Sequence, residues 1–462
     1  MDDISYGAYN FYFSLVSNSG SFPFEVDNRG NKIIVSNSWP YWLYCINFGI
    51  ALFHCSYQVS QFFFHCISGS ESGVLLIAQM SWILLSFLPL ANYYFMLNNE
   101  DHFAEIVDEW CQLERRIIGS AMRGLNFGTK KHIPQLSLCH TNQTRRFYFI
   151  SRYYLILGVI GGIGIGMHAY YEPRYPGYLY WLSSEDSDIL RNLSVAFQLW
   201  VYFIIWGSIF TIEVLTVAIS SSVAHILENL SYRAGVVMTR WTCDEVRITD
   251  LIGNKEEVAS VMSAMSMGFD LTKKDPMNNG NVVAKTVDEL KSDLVFTKSD
   301  MSRVVKNLVD IEYGLEGYHR VESLVDAYNF SYGKVIAGHQ FVYLLMLTIQ
   351  GYNAINRFSI MDPRAVELYL LLIVLFLARI IIFFPAMGNL DHRSDSFIDS
   401  WMEGLRYIPR GKEHYELYWF RVKSCRLLDF RCGRFFNMER QTCLEFLFRV
   451  SEFVIVLLQM FP

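Results

Sequence analysis

Seven segments of this chain are long and apolar enough to cross a bilayer, and a chain that must do so has few folds open to it. They run Ser38–His65, Gly73–Leu97, Phe147–Tyr170, Leu193–Ile219, Val335–Tyr352, Val366–Met387 and Gln441–Met460. In hydrocarbon no water is at hand for backbone N–H and C=O groups, so each segment must be a helix that satisfies its own. The expected fold class is therefore an all-α membrane protein with seven transmembrane helices. The first and last segments are the most polar. The third carries Gly158, Gly161, Gly162, Gly164 and Gly166, which let a neighbouring backbone or a ligand come close. Only 18% of the 462 residues are charged, against about a quarter in soluble domains. A net charge of −6 offers no basic surface for nucleic acid.

Lysine and arginine set the direction. Arg115, Arg116, Arg123, Lys130, Lys131, Arg145 and Arg146 lie between spans two and three. Arg393, Arg406, Arg410, Lys412, Arg421, Lys423, Arg426, Arg431, Arg434 and Arg440 lie between six and seven. The alternate loops are poor, with Arg174 and Arg191 in one and Arg357 and Arg364 in another. By the positive-inside rule the rich loops are cytoplasmic. The N-terminus is then cytoplasmic and the C-terminus extracellular. This is opposite to a G-protein-coupled receptor, so Ser151-Arg152-Tyr153 is no coupling motif and no G protein is expected. The acidic start, with no basic stretch before an apolar core, predicts no cleavable leader.

The expected organisation follows. Residues 1–37 form a cytoplasmic segment and 38–225 hold spans one to four, with an amphipathic cytoplasmic helix over 99–123. Residues 226–334 are cytoplasmic helical extensions, interrupted by a mobile insertion at 253–291 whose Gly, Pro and Asn-Asn-Gly show no period. Spans five and six occupy 335–387, cytoplasmic helices 388–440 and the last span 441–462. Phe103, Ile106, Val107, Trp110, Leu113, Ile117 and Ile118 stripe the amphipathic helix. Leu315, Tyr318, Val321, Leu324, Val325 and Tyr328 repeat at helical spacing into span five. Packing within one subunit and contact between subunits are equally open for these stripes. No cysteine pair has zinc spacing. Cys55 and Cys66 either bridge near the outer surface or stay free thiols. No phosphate loop, nucleophile elbow or metal-ligand spacing occurs, so neither an enzyme nor a cofactor or metal is expected.

The last span carries Thr442, Glu445, Arg449, Glu452 and Gln459 on one face, and the sequence ends two residues beyond it, at Pro462. Ionisable groups at bilayer depth normally face protein or a water-filled path, so this wet stripe suggests a pore-lining helix. Glu445 and Arg449, four apart in the favourable order, predict a local salt bridge. Glu213 and Arg379, at similar depths on spans four and six, predict a structural pair.

Three short motifs add a likeness. Gly433-Arg434-Phe435-Phe436 precedes the last helix, which closes in Glu452-Phe453, five apolar residues and Gln459-Met460. Tyr328-Asn329-Phe330-Ser331-Tyr332-Gly333 enters span five, and Gly20-Ser21-Phe22-Pro23-Phe24 comes before span one. In this order, with seven inverted spans, the chain resembles the insect gustatory receptor family of the insect chemoreceptor superfamily. Glu452, Phe453 and Met460 depart from the family's Thr, Tyr and Phe. The resemblance implies a ligand-gated, non-selective cation channel of four identical or related subunits, multi-pass in the plasma membrane of a sensory neuron. It implies that the last span lines the pore, that a pocket opens outward among the other helices, and that the cytoplasmic helices form an anchor domain between subunits.

On that implication Gln459 forms a polar ring and Val456, a turn deeper, a hydrophobic gate. Glu452 either adds a cation-attracting ring or pairs with Arg449 or another helix. Expected ligand residues in the outer halves of the helices are Gln79 and Trp82, His168, Gln198 and Trp206, Gln350 and Tyr352, and Glu367, with Tyr171, Tyr202, Asn353 and Tyr369 beside them. Rings that cover C–H faces and amides that bond hydroxyls suit a small polar tastant, tilting toward a sugar. Trp and Tyr also belt membrane interfaces without binding anything. The alternatives are an odorant receptor channel of the same superfamily, with a drier pocket, and a secondary transporter, which seven unpaired spans disfavour.

Overall fold

A computed structural model describes residues 14–27, 32–35, 38–69, 73–124, 133–171, 178, 187–252, 298–356, 363–406, 413–439 and 441–460. The expected insertion at 253–291 lies outside them. A two-stranded hairpin, β1 (Phe24–Asp27) and β2 (Lys32–Val35), comes first. The helices follow as α1 (Trp39–Ser68), α2 (Gly73–Asn98), α3 (Glu100–Gly124), α4 (Ile133–Tyr171), α5 (Asp188–Ile252), α6 (Lys298–Asn356), α7 (Pro363–Arg406) and α8 (Glu413–Ser424). A second hairpin, β3 (Arg431–Cys432) and β4 (Phe436–Asn437), leads into α9 (Thr442–Met460).

Each of the seven expected spans falls on one continuous helix, with only Ser38 and Gln441 one residue outside its start. Four stretches are long and apolar enough to cross a membrane by length and composition: Gln79–Asn98, Tyr148–Tyr171, Asp188–Tyr232 and Leu370–Leu405. α1, α6 and α9 fall short of that standard among the described residues, because each carries buried or charged polar groups along its length.

α1 shows why a polar helix still belongs here. Its buried side carries Asn47, His54, Gln58, Gln61 and His65, while Trp39, Trp42, Phe53, Phe63, Phe64 and Ile67 are exposed. A soluble helix sorts its residues the other way. With hydrocarbon outside, the exposed rings need no cover, and the polar groups must turn inward.

α5 and α6 run for 65 and 59 residues. At about 1.5 Å per residue each is on the order of 90 Å long, roughly three times a bilayer's hydrocarbon thickness. Helices of that length must project well beyond any membrane they cross. Their projecting halves pack with α3, α7 and α8 around Trp110, Leu230, Leu315, Tyr318, Leu324, Phe397 and Trp401, all 1% exposed or less. Tyr318 stacks on Phe397 with centroids 4.4 Å apart. Gly314 makes room for Trp401, whose ring lies 2.5 Å from where a Cβ would sit. Arg421 grips the Glu312 carboxylate at 2.5 and 2.6 Å and so ties α8 to α6.

The three short motifs meet here. Asn329 donates through Nδ2 to the Asp429 carbonyl at 2.8 Å and accepts through Oδ1 from the Arg431 N–H at 2.9 Å. Gly333 lies against the Arg431 carbonyl and Gly433, at distances where a Cβ would stand 3.0 and 3.3 Å away. Gly433 turns the second hairpin at φ +59°, a left-handed conformation that favours glycine. Tyr332 stacks on Tyr328 at 4.8 Å and touches Phe103, which in turn packs against Phe22 and Phe24 of the first motif. Motifs far apart in sequence are thus parts of one junction.

Cys45, Cys55, Cys66, Cys111, Cys425, Cys432 and Cys443, the cysteines whose side chains are described, are free thiols.

Candidate ligand site and terminal helix

The expected ligand residues divide into a cluster, two seams and some that stand apart. The cluster is aromatic. Trp82 of α2 meets Tyr178 edge-on with centroids 6.5 Å apart. The Tyr178 hydroxyl is 2.6 Å from His168 Nδ1 on α4, and its carbonyl accepts from the Tyr57 hydroxyl of α1 at 3.0 Å. Tyr202 and Trp206 of α5 stack at 6.0 Å, and Trp82 and Trp206 both pack against Ile165, Tyr202 and Leu372. Trp82, His168 and Trp206 thus come together around Tyr178 and Tyr202. Tyr178 was not legible, since it lies in a connection with no periodic pattern.

The glycines of α4 make this cluster possible. A Cβ at Gly158 would lie 2.2 Å from Trp206 Nε1, and one at Gly161 would lie 2.0 Å from the Tyr202 hydroxyl oxygen. The rings rest directly on the α4 backbone.

Below the cluster lies a buried ion pair. Arg379 of α7 sits over the Trp206 ring at 4.9 Å and bonds Glu213 of α5 at 2.7 and 3.1 Å. The Tyr343 hydroxyl donates to the same carboxylate and accepts from Arg379 at 2.5 Å. Beside it, His339 of α6 shares a hydrogen bond of 2.7 Å with Asn92 of α2. The expected pairing of Glu213 with Arg379 is present, within a larger network that binds α5, α6 and α7 together.

Two seams flank α2. His54 Nδ1 meets Ser86 Oγ at 2.9 Å, and the Tyr44 hydroxyl donates to the Tyr93 carbonyl, which fixes α1 and α2 as antiparallel neighbours. Gln79 continues the face of Ser86 and Tyr93 at steps of seven, so it turns to α1. On the other side, Ser81 and Gln350 each lie eleven residues (about three turns) from the Asn92–His339 bond, toward the Trp82 end of α2, a spacing that returns each to the face its helix turns to the other. Gln79, Gln350 and Asn353 are at most 3% exposed. Both amide atoms of Gln79 and of Asn353, and Oε1 of Gln350, make no hydrogen bond among the described residues. A buried polar atom left so costs about 1–3 kcal/mol, which favours an occupant that can bond to it.

Gln198 is buried on α5. The Tyr352 hydroxyl accepts from Asn356 at 2.7 Å, which engages it at the end of α6. Glu367 lies on α7, with its side chain outside the described ones.

α9 packs on α6 and α7 through Thr442, Cys443, Phe446 and Val454. Gln459, Val456 and Glu452 lie on its uncovered surface, with Val456 45% exposed. Arg449 donates to Glu452 at 2.8 Å. This corrects the expected pairing of Arg449 with Glu445. Glu445 sits in the first turn of α9, where the helix N-terminus stabilises a carboxylate, whereas Glu452 has no such support. Among the described residues, no three His, Cys, Asp or Glu side chains converge in a way that could hold a metal ion.

No protein-family profile matches the sequence, and no curated protein matches it. Solved structures do. The insect olfactory receptor OR5 from Machilis hrabei superposes with a TM-score of 0.62 at 10% identity, over 98% of this chain and 99% of that one. The same receptor in complex with eugenol gives 0.64 at 10% identity, over 99% and 100%. The fold is that of an insect olfactory receptor. At this identity the likeness is one of architecture, end to end.

Proposed function

We propose that this chain is one subunit of a ligand-gated, non-selective cation channel of the insect chemoreceptor superfamily, working as a gustatory receptor. Four identical or related subunits assemble in the plasma membrane, with N-termini inside and seven spans each. A small polar molecule held among α2, α4, α5, α6 and α7 opens the path. The Glu452, Val456 and Gln459 edges of four α9 helices line it, and the projecting helices anchor the subunits.

One observation carries this reading: α9 is covered on one side only, and its uncovered side bears Arg449, Glu452 and Gln459. In a fold whose other surfaces send rings outward, such an edge is stable against water or against further copies of itself. Opening requires that ligand bind the open arrangement more tightly than the closed one.

The second reading is an odorant receptor, favoured by the likeness to a receptor whose solved complex holds eugenol. Cells that express this chain alone, read by calcium entry, separate the two when challenged with sugars, bitter polar compounds and eugenol. Entry with a polar compound supports the gustatory reading, and entry with eugenol alone supports the odorant one. Saturating flux without unitary openings under patch clamp would overturn both in favour of a transporter.

A further inference from the structure

The seam between α1 and α2 carries chemistry beyond the cluster of rings. His54, Gln58, Gln61 and His65 step by four, three and four along α1, so they share one face, and all are at least nine-tenths buried. The His54–Ser86 contact sets the register. Gln61 lies seven residues from His54 in the outward direction, and Gln79 lies seven from Ser86 in the same direction. Two turns, about 10.5 Å, separate each from the contact, so the two amides stand level across the seam. Oε1 of Gln61 and both amide atoms of Gln79 make no hydrogen bond among the described residues.

Both sides of the seam lead to the same ring. Gln61 is one turn from Tyr57, which donates to the Tyr178 carbonyl, and Gln79 is one turn from Trp82, which packs against the Tyr178 ring. The amides and the aromatic cluster are therefore contiguous around Tyr178.

We infer that Gln61 and Gln79 form the hydrogen-bonding wall of the ligand site and select a neutral, polyhydroxylated molecule whose C–H face lies against Trp82 and Tyr178. This rests on the proposed ligand site and assigns it a wall from α1, together with a ligand class. Each amide offers donors and an acceptor, and each hydroxyl offers both in return. No carboxylate or guanidinium lies on this face of α1 to call for a charged ligand. A molecule without hydroxyls would leave the amides unpaired, and a site built to bond hydroxyls discriminates strongly against such a molecule.

The test uses the purified full-length chain in lipid nanodiscs and follows tryptophan fluorescence and thermal melting. The probes are sucrose, glucose and myo-inositol, with eugenol as the hydroxyl-poor comparator. At least one polyol is expected to bind. Gln61→Leu and Gln79→Leu should each weaken that binding at least tenfold, and eugenol should bind the double variant as well as wild type or better. Without ligand, the leucine variants should melt at or above the wild-type temperature, because each removes a buried polar group with no partner. A merely structural role for the amides would lower it. Polyol binding unchanged in the double variant overturns the inference, and so does the absence of polyol binding to wild type. Calcium entry separates this outcome from the channel reading: entry with eugenol but no polyol binding removes only the wall, whereas polyol binding without cation entry removes only the channel.

Discussion

Gly351 of α6 lies against Val454 of α9, so closely that a Cβ at position 351 would stand 3.0 Å from Val454 Cγ2. Its buried neighbour Gln350 lies about 100° further round the same turn, on the side toward α2. One turn of α6 therefore touches both the candidate ligand site and the terminal helix. A leucine at 351 has no room unless α9 moves away from α6, and overpacking of this kind costs about 1–3 kcal/mol. With the proposed ion path on the far side of α9, that movement would narrow it. Gly351→Leu should cut ligand-evoked current about tenfold at unchanged surface abundance, and adding Val454→Ala should restore it. Whole-cell recording of both variants checks this.

The Glu213–Arg379 pair holds three helices beneath the rings. Removing one partner leaves a buried charge without its counterion, at a cost of about 3–5 kcal/mol. Arg379→Met and Glu213→Gln should each lower the melting temperature sharply in detergent. The double variant should be more stable than either single one, because no charge is then stranded.

Gly161 and Tyr202 test the seating of the rings. The clash of an added Cβ is with the hydroxyl oxygen at 2.0 Å, while the ring carbon behind it is 2.9 Å away. Gly161→Ala should weaken ligand binding about tenfold by displacing Tyr202, an overpacking effect of 1–3 kcal/mol. Tyr202→Phe in the same chain should recover most of that loss. Fluorescence titration of the two variants decides it.

Asn329 is matched to the N-x-Ser glycosylation pattern, yet its amide is spent on the hairpin before α9. Asn329→Ala should cost about 1–3 kcal/mol by stranding the Arg431 N–H and the Asp429 carbonyl. Hydrogen exchange should rise across residues 431–437 while the α3–α5 bundle stays protected.

Most of the helical plan was legible because long apolar runs report directly on what a membrane permits. The α3 stripe from Phe103 to Ile117 could be read for the same reason: period and burial go together on a helix. The three short motifs could be recognised but not placed, since nothing local says that Asn329 closes on Asp429 and Arg431. The site was half legible. Trp82, His168 and Trp206 stand on helices whose register follows from sequence. Tyr178 reaches them from a connection, and Gln61 lies on the polar side of α1, where its direction depends on the contact between His54 and Ser86. Arg449 shows the limit of spacing rules: partners at i−4 and i+3 were both in reach, and the helix N-terminus decided between them.

The central claim is that four copies of α9 line a cation path, and substituted-cysteine accessibility along Glu452–Gln459 tests it most directly. The native thiols of Cys425 and Cys432 should stay silent. Burial pushes Cys425 up to about 12, with Glu322 adding to the rise, and burial also raises Cys432, so little thiolate exists at neutral pH. Cys66 is exposed and is replaced by serine beforehand. Aqueous methanethiosulfonate reagent should block current at positions 452, 456 and 459, and Gln459 substitutions should change unitary conductance. Positions that stay unreactive in the open state, with conductance indifferent to residue 459, would contradict the claim.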